Sequence, residues 1–141
     1  MTLAKPINKY IDYIDAPEDT FEQYVEKALK YNFRCVFANL QEYETGRAML
    51  EDSDIILAGA IDFPQGTMAL EEKLARFEEY AACGFTEIDY VLNQRSIENR
   101  DFDAIEREMT TIADFCRAHG ITDKVICLLY TSPSPRDRTR S

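Results

Sequence analysis

The chain has 141 residues, 45% hydrophobic and 11% aromatic, which suits one domain with a core of its own. Its formal net charge of −10 argues against nucleic-acid binding, because neutralising phosphates takes Lys and Arg. No apolar run approaches the ~18–20 residues of a membrane span, and residues 2–8 hold no signal-peptide apolar core.

Tyr10-Ile11-Asp12-Tyr13-Ile14 alternates and predicts a first strand, stopped by Pro17. Thr20 caps the next helix, and Gln23 three residues on completes a capping box. Phe21, Tyr24, Val25, Ala28 and Leu29 form one helical stripe. Tyr31-Asn32 closes that helix. Residues 34–38 form a second strand, and residues 42–50 a helix that Gly46 weakens.

Residues 55–61 are a nearly continuous apolar run, as a parallel strand covered on both faces requires. Asp62-Phe63-Pro64-Gln65-Gly66 is a turn. Thr67 caps a long helix to Cys83, with Leu70, Leu74, Phe77 and Ala81 inward, and Gly84 sits where a helix C-terminal glycine belongs. Residues 87–93 form the fourth strand. Asp101 caps a helix to His119 with Phe102, Ile105, Met109, Ile112 and Cys116 inward, and Lys124 opens a fifth strand. Alternation of β and α implies a parallel sheet with helical crossovers. An open doubly wound sheet and a (β/α)8 barrel both fit. No glycine-rich nucleotide fingerprint follows any strand.

In the fourth strand Ile88, Tyr90 and Leu92 share one face, and Glu87, Asp89, Val91 and Asn93 the other. Asp89 is therefore a carboxylate in a strand buried on both sides. Burying one unpaired costs several kcal/mol, so it is kept for a partner or for chemistry. The competing reading is an acid satisfied by backbone N–H groups or a nearby Arg. The cysteines Cys35, Cys83, Cys116 and Cys127 form no CxxC pair, which fits reduced cytosolic thiols better than a disulfide frame or a zinc site. His119 beside Gly120 is read as a helix-end residue.

From Cys127 the composition turns rich in Ser, Pro and Arg, with Arg136, Arg138 and Arg140. This string resembles one reading frame of a transposase-type sequencing adapter. Residues 127–141 are therefore expected to be a non-native, disordered tail, and residues 1–126 the domain.

Tyr10-Ile11-Asp12, Ala60-Ile61-Asp62-Phe63-Pro64-Gln65-Gly66, Gly84-Phe85-Thr86-Glu87-Ile88-Asp89, Asn93 and Asp101-Phe102-Asp103 together resemble the deoxyribose-phosphate aldolase family. The resemblance implies a class I aldolase on a TIM barrel, of which four βα units and the start of strand five are present. Such an enzyme interconverts 2-deoxyribose 5-phosphate with glyceraldehyde 3-phosphate and acetaldehyde through a lysine Schiff base. Asp89 falls on the family's proton-relay aspartate, and Asp12 is a weaker supporting candidate. Neither a cofactor nor a metal is implied. The expected partners are a phosphosugar or aldehyde substrate and, in the intact parent, further copies of itself, without nucleic acid or membrane.

The chain departs from the family at Tyr13-Ile14-Asp15-Ala16-Pro17, where H-T-L-L-K-P is usual, and at Val36-Phe37-Ala38-Asn39-Leu40 and Asp62. The Schiff-base lysine, a second lysine and the phosphate loops fall on later strands. Lys5, Lys9, Lys27, Lys30, Lys73 and Lys124 are read as solvated surface charges, with Lys9 and Lys124 at strand starts. Another phosphosugar-processing barrel, or an interaction module with a genuine tail, is the alternative. A barrel cut during its fifth strand has open edges and about half the ~250 residues typical of the fold. The expressed chain is expected to aggregate, self-associate or form a molten globule. A cooperative thermal transition from a monodisperse monomer would instead indicate a self-sufficient small α/β domain.

Overall fold

The computed structural model describes residues 2–127, so the expected tail lies outside the described residues except for the exposed Cys127. A 3-10 turn, Ile7–Tyr10, leads into α1 (Phe21–Tyr31), β1 (Cys35–Phe37), α2 (Tyr43–Met49), β2 (Ile56–Ile61), α3 (Leu70–Cys83) and β3 (Glu87–Val91). A short α4 (Gln94–Glu98), α5 (Phe102–Ala118) and β4 (Thr122–Ile126) complete the series. The four strands pair in parallel in the order β1-β2-β3-β4.

The first predicted strand is reduced to one parallel bridge, Asp12 to Cys35. Arg34 N donates to Ile11 O and Tyr13 N to Cys35 O, which places residues 11–13 beside β1. The buried Tyr24 hydroxyl fastens the same junction, donating to Tyr13 O and accepting from Phe37 N. Among the described residues, 10–14 pair only with the β1 side, and Tyr10 and Ile14 are exposed.

Each strand neighbours the one before it in sequence, with none of the order reversal that marks a doubly wound sheet. Five segments at ~4.8 Å spacing would put the leading segment roughly 19 Å from β4 in a flat sheet. Yet Lys124 Nζ on β4 lies 2.5 Å from Asp12 Oδ2. The sheet is therefore rolled, and its concave face is the interior of part of a (β/α)8 barrel.

The helices cover the convex face. Ala38, Ile61, Ile88, Tyr90 and Leu92 pack there against Phe77, Tyr80, Ile112 and Cys116, while Val25, Ala28 and Val36 form a second cluster under α1. Thr20 and Gln23 form the expected capping box, and Asn32 ends α1 in the left-handed conformation. Asp101 caps α5 by accepting from Ala104 N. His119 stacks on Phe115 at the helix end, as its position implies.

Two helix readings need correction. Thr67 does not cap α3, which starts after Ala69, because the Thr67 and Met68 amides donate instead to the Asp62 carboxylate. In α5, Phe102 and Met109 are exposed, and Glu108 is buried beside Ile112 and Cys116. The stripe is rotated because Glu108 answers a buried cation on α3.

At Gly59 on the convex face of β2, an added Cβ would run into the Tyr80 ring. Gly59→Ala should cost about 1–3 kcal/mol in denaturant unfolding of the full-length protein, and less in a Tyr80→Leu background where the ring is gone.

Candidate active site

Alternation along the strands sends one set of side chains to the concave face, where five charged groups meet. Arg34, at the entry to β1, donates from Nε to Asp12 Oδ1 at 2.7 Å and from its two terminal nitrogens to the Glu87 carboxylate at 3.1 and 2.5 Å. Lys124, from the middle of β4, reaches Asp12 at 2.5 Å, Glu87 at 3.0 Å and Asp89 Oδ1 at 3.2 Å. The register places Asp89 between Ala60 on β2 and Lys124 on β4. Two cations thus face three carboxylates.

Asp89 is the carboxylate left over. It is 8% exposed, and among the described residues its Oδ1 finds no aligned hydrogen-bond donor, although Lys124 is within ion-pair distance. The contact is charge against charge, without donor alignment. Burial raises the Asp89 pKa above its ordinary value, and the Lys124 ammonium offsets that only in part. Burial also works against charge on Asp12 and Glu87, but hydrogen bonds from Arg34 and Lys124 outweigh it and lower both. Burial opposes the charge on Lys124 as well. Its hydrogen bonds to Asp12 and Glu87 prevail and hold it firmly protonated.

Asp12, Cys35 and Glu87 bring a thiol and two carboxylates together, but both acids are already matched by Arg34 and Lys124. The trio is part of a salt-bridge cluster. Burial pushes the Cys35 thiol well up, which leaves it a packing group.

Above the cluster, toward the strand C-terminal ends, Asp89 opens on a cavity of about 140 Å³. Ile14, Tyr24, Phe37, Ala60, Phe63 and Ile126 make most of its wall, so Asp89 is a polar group in an apolar cup. A larger hollow of about 590 Å³ lies at the opposite strand ends, between α2 and Thr86, away from Asp89.

The mouth is braced from behind by Lys73 on α3, which is fully buried. Its ammonium donates to Val91 O at 2.6 Å and Glu108 Oε1 at 2.5 Å, and lies 3.2 Å from Asp62 Oδ2. Glu108 Oε2 accepts from Asn93 N, and Asp62 accepts from the Thr67 and Met68 amides. The loops after β2 and β3 are thereby tied together through one lysine.

Three lysines read as surface charges are nothing of the kind. Lys73 sits on the covered side of its helix. Lys124 is in mid-strand and faces the interior. Lys9 is mostly covered, donating to Asn32 Oδ1, Phe33 O and Asp54. Arg34 and Glu87 also went unassigned. The one available signal was parity, since Glu87 and Asp89 share a strand face. Asn93 does not continue the strand but caps α4, accepting from Ser96 N.

Comparison with known proteins follows the same line. No family model matches the chain. A deoxyribose-phosphate aldolase of Clostridium perfringens strain SM101 is 29% identical over 129 residues, covering 90% of this chain and 58% of that protein. One of Lactobacillus acidophilus is 31% identical over 114 residues, covering 81% and 48%. Among solved structures, a tetrameric deoxyribose phosphate aldolase of Aeropyrum pernix superposes with a TM-score of 0.62 at 26% identity, covering 81% of this chain and 48% of that one. A putative deoxyribose-phosphate aldolase of Coccidioides immitis reaches 0.72 at 18% identity, covering 93% and 52%, a likeness of fold. The chain spans about half the length of the curated relatives it matches.

The pKa directions have opposite consequences for stability. Asp12 and Glu87 are lowered, so their contribution is present above the unfolded range of about 3.9–4.3 and is lost as pH falls through the folded values. Asp89 is raised, so the native state is favoured while it is protonated and loses stability as pH rises through its folded pKa. Asp89→Asn should therefore raise the melting temperature at pH 7 and lose that advantage below about pH 4. A lowered melting temperature at pH 7 would mean that the Lys124 pair outweighs burial.

Proposed function

We propose that this chain forms the first part of a class I aldolase of the deoxyribose-phosphate type, a carbon–carbon lyase on a (β/α)8 barrel. The observation that carries the reading is Asp89: a buried carboxylate whose Oδ1 has no aligned donor among the described residues, at the foot of an apolar cavity, in a chain similar to these aldolases along nine-tenths of its length. The substrate class is a small aldehyde and a phosphosugar, with 2-deoxyribose 5-phosphate the first choice. Residues 1–126 make the N-terminal half of the barrel domain, and residues 127–141 are a non-native tail. The setting is cytoplasmic and the intact parent a homo-oligomer.

In this reading Asp89 moves a proton at the carbon next to the imine. Its raised pKa brings it nearer to neutrality, where a proton carrier works best. When it has given up its proton, Lys124 at 3.2 Å steadies the carboxylate. Asp12 acts one step back, holding Lys124 and Arg34 in place. Lys124 is a poor candidate for the nucleophile because its carboxylate partners keep it an ammonium. Lys73 is committed to Val91, Glu108 and Asp62. The Schiff-base lysine and phosphate loops then belong to strands after Ile126. The cavity wall fits this, as its six main members carry no cation.

Borohydride reduction of the full-length protein with acetaldehyde should trap an imine on a lysine after residue 126, and this chain alone should trap none. A stoichiometric adduct on Lys5, Lys9, Lys27, Lys30, Lys73 or Lys124 would overturn that assignment. In the full-length protein, Asp89→Asn should still form the imine but turn over ~10²–10⁴-fold more slowly. Turnover within about threefold of the parent would make Asp89 a structural acid.

A further inference from the structure

We infer that Arg34 is a positioning residue of the interior site: its guanidinium takes up Glu87 and Asp12, so that the Lys124 ammonium stays shared with Asp89. The inference deepens the aldolase reading, since it gives Asp89 its task, but its geometry stands apart from any reaction.

The distances set out the competition. Lys124 is 2.5 Å from Asp12 and 3.0 Å from Glu87, both nearer than Asp89 at 3.2 Å. Those two acids also accept from Arg34, at 2.7 Å on Asp12 and at 2.5 and 3.1 Å on Glu87. With Arg34 present, two cations serve three carboxylates. Without it one ammonium serves all three, and its closest partners hold it hardest. An Arg suits this place because its planar fork grips one carboxylate with two nitrogens while Nε holds another.

The titratable groups that face Asp89 come from four elements. Glu87 lies on its own strand, Lys124 on β4, Arg34 at the entry to β1, Cys35 on β1, Asp12 on the leading segment, and Asp15 lines the same cavity; β2 offers Ala60. Among the described residues Arg34 and Lys124 are the cations of the group. Arg34 does not approach Asp89 itself, so its influence runs through the two acids and the lysine.

The test is a ¹³C carboxyl NMR titration of Asp89 in the full-length protein with labelled aspartate. Arg34→Gln should move the Asp89 midpoint up by about one pH unit or more, as uncompensated acids within a few ångströms do. Arg34→Lys should move it up by less, because it keeps the charge but its single nitrogen cannot replace three guanidinium nitrogens spread over Asp12 and both Glu87 oxygens. Glu87→Gln should move it down, and the double variant Arg34→Gln/Glu87→Gln should return it toward the parent value. An Asp89 midpoint in Arg34→Gln within about 0.2 units of the parent would overturn the inference, since a merely structural arginine leaves that titration alone. Should Arg34→Gln fail to fold, the Arg34→Lys and Glu87→Gln arms decide by the same directions. Aldol turnover is recorded alongside. The expected shifts in a protein without aldolase activity would sink the aldolase reading and leave Arg34 standing, and an active protein without them would do the reverse.

Discussion

Charge on a concave face governs this structure. A rolled parallel sheet brings its inner side chains together, and any ionised group there must find a partner or pay several kcal/mol for desolvation. Arg34, Asp12, Glu87, Lys124 and Asp89 resolve this by sharing. Their bonds run from the leading segment across to β4, so the curvature and the ion cluster require each other. A flat sheet would leave Asp12 and Lys124 far out of reach.

The sharing is uneven. Asp12 and Glu87 are doubly held and stay ionised. Among the described residues Asp89 has one cation at ion-pair distance and no aligned donor on Oδ1, with apolar walls above it. Burial raises the pKa of that carboxyl group while hydrogen-bonded cations lower those of its neighbours. Three acids within one layer thus fall into two kinds, according to the donors that reach each one.

Behind the mouth a second buried lysine works structurally. Lys73 joins α3 to the end of β3 through Val91 O, to α5 through Glu108, and to the loop after β2 through Asp62. Asp62 adjoins Phe63 and Val91 lies two residues past Asp89, so this brace holds both the cavity wall and the strand that carries the acid. Replacing either partner of such a buried group leaves charge without compensation, which explains why polar residues occupy places where periodicity expects apolar ones.

Local signals determined much. Periodicity, the Thr20 box, the Asp101 cap and Gly84 were sufficient for the existence and order of α1, α3 and α5, though not for α4 or the first turn of α3, because each depends on neighbours within a few residues. Parity along β3 placed Glu87 and Asp89 on one face, and the family resemblance singled out Asp89. The strand pattern left the open sheet and the barrel both open, the family resemblance pointed to the barrel, and the strand order and curvature bear it out, since these are set by pairings far apart in the chain. Tertiary structure alone decided the lysines. Lys73 and Lys124 read as surface charges because a lysine is usually solvated, and only long-range partners, Glu108 for the first and Asp12 112 residues away for the second, stabilise an ammonium indoors.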